Sequence, residues 1–466
     1  MARVEPEQTF GYIDLFAGCG GLSLGLEASG GTLLLAVERS PMAAETFMRN
    51  LVNPNFSDHE WADFLKLHPS EQLQSKLIVG DISKAYAMKK MGQFLKETDV
   101  DLVSGGPPCQ GFSLAGRRNH EDSRNELPKE FLKYVKKSSP KMVVIENVLG
   151  MNLKFKAQET QADSAFNQVA KALENTGPGY TVQKLLLNAK HYGAAQSRER
   201  LFLIGIRKDL ASCLNIEATK QVWKSRFKDE LLEQQPDLAP PPKTFADQAA
   251  TVADAFADLI EENKTSTYVK HLRDSKFWGL VHEGGRHNHV ERNHTFDTIS
   301  KFELYILLHK HGLKNLLLRQ GHSDKFTTSR ALEFEIARKV LRFPILTTDG
   351  KVLARDFAEF KSLANRFATF KHSQRVLSLE HVSPTVITSP DDFIHPLAPR
   401  VLTVREMARL QGFPEQFKFF AKETTGGLKR RTEVPQYSQV GNAVSPFVSL
   451  AIGELVKSIL SRQNEA

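Results

Sequence analysis

The first 206 residues predict an α/β fold with a largely parallel sheet covered by helices on both faces. Two observations carry that reading: short apolar runs recur along this stretch, and the segments between them carry helical patterning. Tyr12 to Phe16 reads as a strand, followed by a glycine turn and a helix from about Leu22 to Ser29. Leu33 to Val37, Leu77 to Val79 and Leu102 to Ser104 read as the next three strands. A helical stretch around Glu130 to Lys137 precedes a strand from Met142 to Glu146. A helix from about Ser164 to Asn175 and strands near Thr181 to Leu187 and Leu201 to Ile206 complete the run.

Beyond Arg207 the alternation stops. Pro236 to Pro242 reads as an exposed connection, and Thr251 to Leu259 as a short capped helix. From about 265 to 379 no αβ pattern is visible, although Phe302 to His309 and Ala331 to Leu341 look helical. Thr403 and Glu406 have the spacing of a capping box, and Gly412 and Pro414 end the helix they open. Phe447 to Leu460 reads as an apolar closing helix that returns to the first domain. The expected division is a first domain of 1–206 completed by about 434–466, a connection of 207–264, and a second domain with its return segment at 265–433.

A chain of 466 residues is too long for one compact core and fits this two-part plan. Hydrophobic content of 41% and charged content of 25% are those of an ordinary globular protein. No apolar run approaches the ~20 residues that span a bilayer, and Met1 to Gln8 lacks a signal peptide's apolar core. A membrane role is therefore not expected. Cys19, Cys109 and Cys213 are too few and too scattered for a disulfide framework or a Cys-rich zinc site. A reducing, cytoplasmic setting follows, in which a free thiol persists. Net charge is +8, and Tyr268 to Arg342 holds 14 Lys/Arg against 8 Asp/Glu together with 8 of the 15 histidines. That block suggests a polyanion-binding surface. Within it, Gly284 to His294 has neither paired cysteines nor a helical His-x-x-x-His, so no metal is expected.

The chemistry-bearing segments lie at predicted strand ends, where open α/β sheets place their sites. Asp14 to Leu22 carries Gly18, Gly20 and Gly21, which let the backbone turn sharply and approach a ligand. Glu38, about 20 residues on, can accept hydrogen bonds from a ribose diol. The third glycine of the dinucleotide fingerprint is missing, which favours a nucleoside cofactor without phosphates, with S-adenosylmethionine first. Asp81 is placed either to meet an adenine or to cap a helix. Cys109 follows Pro107 and Pro108 at a strand end, a presented rather than a buried thiol. A free thiol has a pKa of about 8.5 and must be brought lower to act well at neutral pH. Glu146 ends the next strand and can donate a proton to a ring nitrogen, while Arg198 and Arg200 fall on one side if their segment is extended.

In this order the segments resemble the DNA (cytosine-5) methyltransferases. The matching stretches are Asp14 to Leu22, Glu38, Gly80 to Ile82, Gly106 to Ser113, Glu146 to Val148, Gln196 to Arg200, Arg405 to Pro414 and Gln439 to Pro446. Ala194-Ala195 departs from the family, which usually has a proline there, and implies a local backbone adjustment. The resemblance implies a Rossmann-like S-adenosylmethionine-dependent methyltransferase domain plus a smaller, variable target-recognition domain. It implies Cys109 as nucleophile on C6 of a flipped cytosine, with Gln110 beside it, Glu146 at N3 and the exocyclic amine, Arg198 holding O2, and Arg200 as a further catalytic residue. Phe16, Gly18, Gly20, Gly21, Leu22, Glu38, Asp81, Ile82, Pro107, Asn442 and Val444 would surround the cofactor. Ser113, Arg117, Arg118 and Arg124 would lie on a loop closing over the base; Arg286, Arg292 and Arg319 would reach DNA from the basic block.

The implied partner is double-stranded DNA, with a cognate restriction endonuclease acting at the same site and a monomeric enzyme. Transfer RNA as substrate is the alternative, and a long variable block argues against it. A catalytically silent DNA-binding regulator is a third reading, opposed by the presence of Cys109, Glu146 and Arg198.

Overall fold

The computed structural model describes residues 10–108, 126–149, 164–231, 234–279, 286–313, 315–318 and 327–465. An eight-stranded sheet runs in the order β3-β2-β1-β4-β5-β7-β6-β8. Its strands are β1 (Phe10–Leu15), β2 (Gly31–Glu38), β3 (Leu77–Val79), β4 (Leu102–Gly105), β5 (Met142–Asn147), β6 (Tyr180–Asn188), β7 (Glu199–Arg207) and β8 (Trp223–Lys224). The first five are mutually parallel. β7 is antiparallel to both β5 and β6, so the sheet is mostly rather than wholly parallel. After β3 the chain crosses to the other side of β1 to form β4. That reversal opens a crevice at the carboxyl ends of β1 and β4.

Side-chain alternation divides the sheet between two cores. Tyr12, Ala36, Leu102 and Val144 face the Gly21–Ala28 and Pro446–Glu465 helices. Ile13, Leu35, Val103 and Ile145 face the Leu127–Ser138 and Ala165–Glu174 helices on the opposite side. The closing helix lies close against Gly21–Ala28: a Cβ on Gly25 would sit 2.3 Å from the Leu450 nitrogen and 2.6 Å from the Pro446 carbonyl oxygen. The Ser449 hydroxyl donates to the Gly21 carbonyl there. Among the described residues no single helix is long and apolar enough to cross a membrane.

Two caps follow the sequence pattern. Thr403 and Glu406 form the capping box of the Val404–Gln411 helix, with Gly412 left-handed at its end, and Thr251 caps Val252–Ile260. The packing departs from the expected domain limits, however. Leu210, Ile216, Leu238 and Phe256, from the supposed connection, belong to the large core, as do Tyr268, Trp278 and Met407 to Phe419 from the supposed second domain. A smaller separate core gathers Phe302, Leu304, Leu316, Ala337 and Phe360 with Val376, Ile394 and Val401. Buried charge helps fix the return segment to the large core. Arg409 pairs with both Asp258 and Glu415, while Arg405 donates to the carbonyls of His287, Pro414 and Phe417. The contacts of Arg409 with Asp258 and of Arg405 with His287 join residues more than a hundred positions apart, which local periodicity does not encode.

Candidate active site

A cavity of about 620 Å³ occupies the crevice at the strand reversal, and each parallel strand contributes its carboxyl end to the lining. β1 supplies Asp14 and, just past its end, Phe16 to Cys19; β2 supplies Val37 and Glu38. Residues following β3 and β4 add Gly80 to Ile82 and Gly106 to Pro108, and β5 brings Glu146 and Asn147. The far end of the chain closes the wall with Val434, Gln439 and Asn442 to Val444. Of the residues expected around a cofactor, Phe16, Gly18, Gly21, Leu22, Glu38, Asp81, Ile82, Pro107, Asn442 and Val444 are brought together here. Gly20 is not among them. Its φ of +97° makes the turn into the first helix, and a Cβ there would strike the Leu51 and Phe47 side chains behind the cavity.

At this end the carboxylates are tied to nearby backbone and hydroxyl groups. Glu38 accepts from the Gly18 amide at 2.8 Å and the Ser40 amide at 2.7 Å, which fastens the glycine turn to the end of β2. Burial nevertheless raises its pKa above the usual glutamate value. Asp81 caps the Ile82–Ala87 helix through the Ser83 amide while lining the cavity. Against the upward pull of burial, the Ser83 hydrogen bonds keep its carboxyl below the ordinary range. Asp14 is 1% exposed; its Oδ2 accepts from the Ser23 hydroxyl at 2.6 Å and its Oδ1 has no partner among the described residues. Burial lifts its pKa to about 7. Cys19 is buried in the wall with its thiol pushed up to about 12 by desolvation.

At the other end, Glu146 meets Arg200 across 3.1 Å between Oε1 and Nε. Burial raises the Glu146 pKa, and the charges of Arg200 and Arg198 oppose that rise. The chain leading to Cys109 lies alongside: a Cβ on Gly106 would stand 2.9 Å from Glu146 Oε2, and Asn147 Nδ2 donates to the Pro107 carbonyl at 2.8 Å. Cys109, Gln110, Ser113, Arg117, Arg118, Arg124 and Arg319 lie outside the described residues.

Arg198 corrects the sequence reading. Expected at the base oxygen beside Arg200, it is 2% exposed and donates instead to the carbonyls of Val386, Gly441 and Ala443. β7 begins at Glu199, so Arg198 lies just before the strand, and its guanidinium is committed to these carbonyls. Ala194 and Ala195 are both buried in that same connection. Arg286 donates to the Asp258 carbonyl and Arg292 pairs with Asp391, both away from the cavity lining. His289 bonds the Thr403 hydroxyl, and His294 accepts from the Val401 amide.

Sequence reasoning missed Asp14 and Gln439 as wall residues, although both stand inside the motifs quoted for the resemblance. Gln439 is an anchor: its amide donates to the carbonyls of Met42, Phe420 and Val434 and accepts from Thr46.

Comparison with known proteins agrees with this arrangement. A family model described as C-5 cytosine-specific DNA methylase matches residues 10–458. Type II methyltransferase M.DdeI of Desulfomicrobium norvegicum is 31% identical over 453 residues, covering 95% of this chain and 88% of that protein. Type II methyltransferase M.XorII of Xanthomonas oryzae pv. oryzae is 29% identical over 469 residues, covering 97% and 86%. A solved putative DNA modification methyltransferase encoded within an E. coli prophage shares the fold at a TM-score of 0.52 and 24% identity, covering 97% of this chain and 99% of that one. With a match over nearly its whole length and a cleft assembled from the same motifs, the chain belongs to the C-5 cytosine-specific DNA methylase family.

Proposed function

We propose that this enzyme methylates C5 of a cytosine extruded from duplex DNA, using S-adenosylmethionine and a covalent bond from Cys109. The observation that carries the reading is the two-ended cavity: Glu146, backed by its partner Arg200, and the approach to Cys109 at one end, an acidic wall at the other. Its volume of about 620 Å³ falls within the roughly 300–1,000 Å³ of small-molecule sites. Asp14, Glu38 and Asp81 make a wall that repels phosphates and suits a cationic sulfonium ligand. A Cβ placed on Gly18 or Gly80 would meet no atom within 4 Å, so the backbone there leaves open space for a ligand. Glu38 would hold the ribose hydroxyls and Asp81 the adenine side, with Asn442 and Val444 closing over them. When bound, S-adenosylmethionine supplies an electrophilic methyl group.

The residues of the other end activate the acceptor. Cytosine is a poor nucleophile at C5 until the Cys109 thiolate bonds to C6 and turns the ring into an enamine-like nucleophile. Glu146, whose pKa burial raises, would donate to N3 and accept from the exocyclic amine. Arg200, rather than Arg198, would hold O2 while fixing Glu146. C5 would then take the methyl group as the donor's S–CH3 bond breaks, leaving a neutral thioether; the C5 proton would pass to water, and its electron pair would expel the C6-bound sulfur, releasing 5-methylcytosine and the Cys109 thiolate. Removing the base from the stack costs a few kcal/mol. The basic block, including Arg286 and Arg292, would supply DNA contacts. The relatives' designation as type II methyltransferases supports a protective role opposite a cognate restriction endonuclease.

The test is trapping on duplex DNA carrying 5-fluorocytosine, whose C5–F bond blocks the final elimination. The wild type should form a covalent complex that survives denaturation. Cys109→Ala should form none and lose turnover, while holding DNA within about threefold of the wild-type Kd. Turnover by Cys109→Ala would overturn the covalent route. Wild-type DNA binding without any trapped complex or methylation would favour the silent regulator.

A further inference from the structure

Arg198 is one of the largest fully buried side chains in the molecule. A buried guanidinium is costly unless its lost water is replaced, and here the replacements are backbone carbonyls rather than a carboxylate. Two of them, Gly441 O at 2.8 Å and Ala443 O at 3.0 Å, flank Asn442. Asn442, Ala443 and Val444 line the cavity, and the Val444 carbonyl lies so near Gly21 that a Cβ on that glycine would approach it to 2.4 Å. The turn held by Arg198 is thus one wall of the cofactor end. Gln411 supports the same turn from another direction, donating to Val440 O at 2.8 Å and Ala443 O at 3.2 Å. Two residues beyond Arg198, Arg200 reaches Glu146. One short segment therefore braces both ends of the cavity.

We infer that Arg198 is a positioning residue for the cofactor: through the carbonyls of Gly441 and Ala443 it sets the wall made by Asn442 and Val444, and it does not touch the base. The inference rests on S-adenosylmethionine being the ligand of that end. Arg405 is its natural comparator, equally buried and also held by three backbone carbonyls, those of His287, Pro414 and Phe417, away from the cavity lining.

Calorimetric titration of S-adenosylmethionine into the full-length protein tests it, alongside steady-state kinetics on duplex DNA. Arg198→Lys, with one ammonium in place of a fork, should weaken S-adenosylmethionine binding at least tenfold and raise its KM in parallel. Its kcat at saturating cofactor and its Kd for DNA should stay within threefold. Arg405→Lys should lower Tm while leaving cofactor affinity within twofold. Cofactor affinity within twofold of wild type in Arg198→Lys would overturn the inference, as would a fall in kcat with KM unchanged, which would return Arg198 to the base. Where Arg198 variants do not fold, Gln411→Met carries the test: weakened cofactor binding supports the inference and unchanged binding overturns it. A wild type that binds no S-adenosylmethionine would remove the cofactor reading and this inference together. Unchanged binding confined to the variants would remove the inference alone.

Discussion

The two ends of the cavity are built on different principles. At the cofactor end each acid is held by groups close in sequence or on the adjoining turn: Glu38 by the amides of Gly18 and Ser40, Asp81 by Ser83, Asp14 by Ser23. At the base end the central contact joins two side chains from antiparallel strands, Glu146 on β5 and Arg200 on β7. Backbone amides hold a carboxylate where the loop puts it and leave it acid-strengthened or neutral according to burial. A side-chain ion pair lining a cavity can open, pass its donors to a substrate that replaces the lost partner, and close again. The first end is a fixed mould and the second a rearrangeable clamp.

Glu146→Gln breaks the clamp and is expected to have the largest effect. The amide keeps the shape and a donor but cannot move a proton, so kcat should fall about 100-fold or more, roughly 2.7 kcal/mol of transition-state stabilisation. Cofactor affinity should remain within twofold by calorimetry. Because burial raises the Glu146 pKa, the wild-type rate should decline as pH rises through that raised value, and the Gln variant should lack this alkaline limb. A variant that lost cofactor affinity as well would show that the two ends are not independent.

Gly21→Ala alters the mould and should have a smaller, opposite signature. The added Cβ would lie 2.4 Å from the Val444 carbonyl and 3.2 Å from both the Ala443 Cβ and the Phe413 ring, so the closing turn must retreat. We expect S-adenosylmethionine affinity to fall about tenfold, roughly 1.4 kcal/mol, with kcat at saturating cofactor little changed. A loss of kcat with intact affinity would mean that the displaced turn propagates to Glu146.

The same contrast explains what was legible in the sequence. β1 to β5 were readable to within two residues because each is a short apolar run ended by Gly, Asp or Asn signals. The cofactor mould was readable because it is local: Gly18, Glu38 and Asp81 stand directly after strands, and their partners are close at hand. Helices such as Asp58–Phe64 escaped, since seven residues are too few for a periodic signal even with the Ser57–Glu60 capping box in place. Arg198 and Arg200 were assigned together because alternation assumes both are in a strand. Only the meeting of Arg198 with Val386, Gly441 and Ala443, far along the chain, separates their roles. The limits of the smaller core escaped for the same reason, as Phe302 and Val401 meet only in three dimensions.

Asp14 offers the finest test of the mould. Burial, with the Glu38 charge adding to it, raises its pKa from 3.8 to about 7, and the hydrogen bond from Ser23 only partly offsets this. A carboxyl whose folded pKa exceeds its unfolded one gives its full contribution to stability below the unfolded value. That contribution is lost as pH rises through the folded value, at about 1.4 kcal/mol per pH unit between them. Asp14→Asn keeps the acceptor for Ser23 but cannot ionise. Its stability relative to wild type should therefore climb from about pH 4 and level off above about pH 7, whatever its offset at low pH. Urea unfolding across that range reads the difference directly. A constant difference would mean that Asp14 ionises at its ordinary value, so that the cofactor end stores paired charge much as the base end does and the distinction between mould and clamp dissolves.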